Sequence, residues 1–147
     1  MSQFELGTDG PSLILAAVDG STTSLRAGAY AVGLARRQRS ELVVVTVTTT
    51  PALSSLSADA ATVLAQSAHE LAADLHEQAK EYLRLLEMEA RLITVHGDPY
   101  LEIVRTADDL RADAVVVGAS MKAGHRLVGS LAGRLIKAGK WPVTVVP

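Results

Sequence analysis

VVVGASMKAGHRLVGSLAGRLIKAGKWPVTVVP, residues 115–147, opens on an apolar β-branched run and closes on another. Between the two lie Gly118, Gly124 and Gly129 and then a short helical pattern from Ser130 to Ala138. Two buried strands joined through one helix predict a parallel pair with a right-handed crossover. The glycines predict a loop that bends sharply, approaches another group closely, or does both.

The same alternation runs back through the chain. SLILAAV (12–18) is a short apolar run ending at Asp19-Gly20-Ser21 and reads as a buried strand. From Thr22 to Gln38 the residues Leu25, Gly28, Val32 and Ala35 recur at helical spacing. ELVVVTVT (41–48) is a second strand, stopped by Pro51. Residues 51–63 are small and polar, a loop or frayed helix start, and lead into a long helix over about Asp59 to Ala90. Leu64, Ala68, Leu71, Leu75, Tyr82 and Leu86 are expected to line its inner face.

RLITVH (91–96) is a third strand with Gly97-Asp98-Pro99 as its exit turn. Tyr100, Ile103, Val104, Ala107 and Leu110 mark a third helix, DAVVVG (113–118) a fourth strand, and PVTVV (142–146) a fifth. Strict strand–helix alternation with continuous apolar strands predicts an α/β fold. The expected form is a three-layer sandwich around a five-stranded parallel sheet. Residues 1–11 read as a flexible arm and 12–147 as one domain.

Composition narrows the function classes. Aromatic residues are 3% of the chain, so the interior is built from Ala, Val and Leu, which suits close packing of helices on a sheet. A formal net charge of −2 gives no general attraction to nucleic acid or an anionic membrane. The absence of cysteine excludes disulfides, thiolate metal sites and cysteine nucleophiles. The N-terminal residues lack the basic flank and apolar run of a secretory signal, and no apolar stretch reaches membrane-spanning length. A cytoplasmic protein is expected.

In open parallel sheets ligands bind beyond the carboxyl ends of the strands. Asp19 and Gly118, at the exits of the first and fourth strands, should flank such a crevice. Gly124-His125-Arg126-Leu127-Val128-Gly129-Ser130 has the Gly-x4-Gly spacing of a phosphate cradle followed by a hydroxyl residue. It lacks the lysine that a P-loop places before that hydroxyl, so a P-loop NTPase is rejected. What remains is amide N–H groups, the positive end of the last helix and the Ser130 hydroxyl, a set able to hold an anion. Lys122, His125 and Arg126 would add positive charge. The alternative is that Ser130 simply caps the helix and the glycines serve turns.

Three segments in order, ILAAVDGSTTSLRAGAYAVGLA, VHGDP and residues 115–147, resemble the universal stress protein family over Ser12 to Pro147. The resemblance implies an adenine nucleotide alpha hydrolase-like, Rossmann-like sheet of strand order 3-2-1-4-5. It also implies a cytoplasmic sensing or signalling role, and a homodimer through the terminal strand, Pro142 to Val146. One branch of the family binds ATP, with magnesium a further candidate, and the other does not.

By position, Asp19 and a backbone group of Val47 would contact adenine. Gly118, Gly129 and Ser130 match the family's Gly-x2-Gly-x9-Gly-Ser/Thr loop for ribose and phosphates. Met121 stands where the second glycine is expected, and the loop is two residues shorter. Its Cβ disfavours a positive φ and close approach of phosphate; Gly124 supplies a flexible joint three residues later.

Two further readings stay open: a non-nucleotide-binding dimeric interaction module, and a slow ATP hydrolase. No residue identifies itself as a general base for the latter. Asp19 has a plainer role available, as an acid at a helix start. His69 and His76 lie on the long helix without further metal ligands in the pattern. His96 and Asp98 lack a nucleophile or oxyanion partner in sequence. The closing VTVV, at a sheet edge, should recruit a second copy.

Overall fold

β-Branched and other apolar residues build five parallel strands, and a helix follows each of the first four. The structure, a computed structural model, describes residues 10–49, 57–120 and 128–147. The order is β1 (Leu13–Ala17), α1 (Thr22–Gln38), β2 (Glu41–Thr48), α2 (Ala58–Leu85), β3 (Arg91–His96), α3 (Pro99–Leu110), β4 (Ala114–Gly118), α4 (Gly129–Ala138) and β5 (Val143–Val146). The sheet runs β3-β2-β1-β4-β5. This is the expected α/β sandwich with its expected strand order. Most of the arm assigned to residues 1–11, and residues 51–56 of the stretch expected to be a loop or frayed helix start, lie outside the described residues.

The period of two along each strand divides the core. Leu13, Leu15, Val43, Val45, Val115 and Val117 face one side, where Ile103 and Ala107 of α3 and Ala132 and Leu135 of α4 cover them. Ile14, Ala16, Leu42 and Val116 face the other, under Ala27, Ala31, Val32 and Ala35 of α1 and Leu83 of α2. Alanine on α1 lets that helix lie close over β1 and β4. Asp113 pins the start of the central strand: its Oδ2 accepts from the N–H groups of Ser12 and Leu13, both at 2.9 Å.

The long helix departs from expectation in two ways. It stops at Leu85, because Glu87 takes a left-handed φ of 52° and Met88 N–H returns to the Leu83 carbonyl at 2.9 Å. Of the expected inner face only Leu75 is buried; Leu64, Leu71 and Tyr82 are 39%, 54% and 43% exposed. Length explains this. A helix of 28 residues spans about 42 Å, whereas the 8 residues of β2 span about 27 Å. The N-terminal half of α2 has no sheet beneath it, and its buried residues are Ala72, Leu75 and Leu83.

Gly118 is required by proximity. A Cβ there would lie 2.5 Å from both Ser24 N and Thr23 C, inside any tolerable contact with backbone. By contrast, Gly133 in α4 has open space where a Cβ would go. Gly118→Ala is expected to destabilise the fold by about 1–3 kcal/mol, while Gly133→Ala stabilises it by up to about 1 kcal/mol. Urea denaturation of the two variants checks both signs.

Candidate functional site

The exit of β1 is built from short polar side chains. Val18 N–H still bonds the Val45 carbonyl at 2.9 Å, and beyond it the chain turns through Gly20, at φ 89°. Asp19 Oδ1 accepts from Ser21 N–H at 2.8 Å, and Asp19 N–H donates to Ser24 Oγ at 3.1 Å. Ser21 is the N-cap of α1, its Oγ accepting from Ser24 N–H at 3.3 Å. Asp19 therefore does not cap the helix; it fixes the residue that does. Burial alone would raise the pKa of this carboxyl, but the hydrogen bonds of Ser21, Ser24 and its own backbone outweigh that. The net shift is below the ordinary aspartate value.

The exit of β4 is held against this turn. Thr23, 1% exposed, donates from Oγ1 to the Ala119 carbonyl at 2.6 Å. With Gly118 lacking a side chain, the first turn of α1 lies directly on the end of β4. Across the opening, α4 begins at Gly129, at φ 79°, where a Cβ would stand 2.8 Å from Ser120 Cβ. Both the dihedral angle and the space favour glycine there.

Ser21, Ser57 and Asp98 accept from first-turn N–H groups of α1, α2 and α3, whereas α4 has no side-chain cap among the described residues. Ser130 is the second residue of α4, not its cap, so the simple capping alternative is set aside. Among the described residues no side chain accepts from the first amide groups of α4, which at a helix start have no intrahelical partner.

These exits enclose a crevice of about 320 Å³. Asp19, Val47, Gly118, Gly129 and Ser130 all line it, together with the apolar side chains of Val117 and Ile103. Met121, Lys122, Gly124, His125 and Arg126 lie outside the described residues. Thr23, Ser24 and Ser120 also line the crevice and were not singled out from the sequence. The run Ser21-Thr22-Thr23-Ser24 directly after Asp19-Gly20 was the available signal.

His96 and Asp98 are not in the crevice wall. Asp98 caps α3 through Leu101 N–H at 2.9 Å, and His96 Nδ1 lies 3.0 Å from Thr48 Oγ1. His69 is exposed and His76 half-buried, and no group of three or more His, Asp or Glu side chains able to hold a metal occurs among the described residues. No helix among them is long and apolar enough to cross a membrane.

The lowered pKa of Asp19 carries a sign. Its contribution to stability is complete above the unfolded-state value and is lost as pH falls through the lower folded-state value. In thermal denaturation between pH 7 and about pH 2.5, the wild-type chain should lose an increment of stability that Asp19→Asn does not. Parallel curves for the two proteins would contradict the assignment.

Known proteins place this geometry in a family. The model of the universal stress protein family matches residues 12–147. A curated relative, universal stress protein MJ0531 of Methanocaldococcus jannaschii, is 31% identical over 143 residues, 90% of this chain and 80% of that protein. A universal stress protein solved in complex with cAMP superposes with a TM-score of 0.70 at 24% identity, covering 93% of this chain and 97% of its own. A universal stress protein family protein of Arabidopsis thaliana with AMP bound gives a TM-score of 0.68 at 18% identity, covering 92% and 91%. Matched over almost its whole length and built on the same sheet, the chain belongs to the universal stress protein family.

Proposed function

We propose that the crevice binds an adenine nucleotide, ATP foremost, and that the protein acts as a sensing or signalling domain. The observation that carries this reading is the first turn of α4, which has no side-chain cap among the described residues and opens at Gly129 beside an apolar wall of Val47, Val117 and Ile103. Such a wall suits a flat heterocycle, and free amides at a helix start suit phosphate. The cAMP and AMP complexes of proteins with this fold support it.

On this reading Asp19 and the backbone of Val47 meet adenine. Gly118, Gly129 and Ser130 hold ribose and phosphates, with Lys122, Gly124 and Arg126 of the intervening sequence contributing. A magnesium ion would arrive on the phosphates, which supply the oxygen ligands it prefers. A cytoplasmic location and a role without turnover complete the proposal.

Titration calorimetry of the full chain with ATP, AMP and cAMP tests it. Saturable binding is expected, weakened at least tenfold, about 1.4 kcal/mol, by Gly129→Val while circular dichroism shows the fold retained. No heat at millimolar nucleotide would overturn the pocket and favour the interaction-module reading.

We also propose a homodimer through β5. That strand ends the sheet order, so one edge of its backbone is unpaired within the described residues. An antiparallel contact with a second copy is the simplest closed pairing. Sedimentation equilibrium should give twice the chain mass; a monomer at tens of micromolar would contradict it.

A further inference from the structure

The face of the sheet covered by α1 and α2 is incompletely filled. α1 lies close over β1, β4 and β5, α2 rests more lightly on β2 and β3, and the backbones of the two helices hardly approach each other. A cavity of about 340 Å³ remains between them. Val44, Thr46 and Leu92 form its floor, Leu25 and Val32 one side, and Leu75 and Tyr82 the other. Gly28 and Ala79 face this space without side chains large enough to occupy it.

Two further features turn the gap into a site. No Asp, Glu, Lys or Arg lines it, so beyond the His76 imidazole it has nothing to balance a charged guest. Yet Thr46, His76 and Gln78 line it too, and their side chains make no hydrogen bond to protein among the described residues. Apolar walls with a few uncommitted polar groups, at this size, are the composition of a small-molecule pocket.

We infer that this cavity binds an uncharged, largely apolar molecule of one or two aromatic rings bearing a single hydroxyl or carbonyl. The rings fill the space left at Gly28 and Ala79 and stack against Tyr82, recovering dispersion contacts that the empty walls lack. The polar substituent is met by Thr46, His76 or Gln78. The site is separate from the crevice between β1 and β4, although Val18 is a wall of both. It does not depend on nucleotide binding.

The test uses the full chain and 2-naphthol as the probe. Calorimetry should show one saturable site with Kd of about 10–100 μM, within the usual range for a ligand of this size. Amide shift perturbations should concentrate in Leu25–Val32 and Leu75–Leu83. Ala79→Phe fills the cavity and should weaken binding at least tenfold, and Thr46→Val, which keeps shape and removes the hydroxyl, should weaken it severalfold. Unsaturable partitioning, or perturbations centred elsewhere on the wild-type chain, would overturn the inference whether or not the variants fold. So would unchanged affinity in folded Ala79→Phe, or a change of its subunit number by sedimentation, which would make this face a contact between copies.

Discussion

A missing side chain at the end of β4 sets the geometry of the whole upper rim. Because Gly118 has no Cβ, the backbone of Thr23 and Ser24 can occupy the space beside it. The buried Thr23 hydroxyl then closes the contact on the Ala119 carbonyl at 2.6 Å. Leaving that carbonyl unpaired in the interior would cost about 1–3 kcal/mol, so the helix start and the strand end are tied together. Everything that lines the crevice on this side, from Asp19 through Ser24 to Ser120, takes its place from that junction.

The two faces of the sheet solve the packing problem differently. On the α3 and α4 side, Ile103 and Leu135 reach the strands directly and the core is continuous up to the crevice. On the α1 and α2 side, alanine brings α1 down onto the central strands. α2 is long, is anchored by only three buried residues, and leaves space between itself and α1. Close packing over β1 and β4 and the open volume over β2 thus have one origin, the small side chains of α1 set against a helix that outruns its sheet.

Helix capping separates structural ends from an available one. Ser21, Ser57 and Asp98 each satisfy amide groups that would otherwise be unpaired. α4 begins instead on a left-handed glycine, with no side-chain acceptor among the described residues. Its first amides therefore differ from those of the other three helices in having no side-chain acceptor among the described residues.

How far the sequence reached follows from which forces are local. Alternation of apolar strands and amphipathic helices is written into residue periodicity, so the five strands, their parallel sense and the β1–β4 crevice flanked by Asp19 and Gly118 were legible in the chain. The strand order and the candidate role of Val47 came from family resemblance rather than from spacing. Periodicity could not reveal that Leu64 and Leu71 are exposed, because that depends on where β2 ends beneath α2. Nor could it reveal that Gly118 answers to the backbone of Thr23 and Ser24, or that Ser21 rather than Asp19 caps α1. Those facts, and the cavity between α1 and α2, are contacts between segments distant in sequence or the outcome of competing short-range hydrogen bonds. Residue order specifies the elements through local periodicity; only their assembly decides which atoms come within reach of one another.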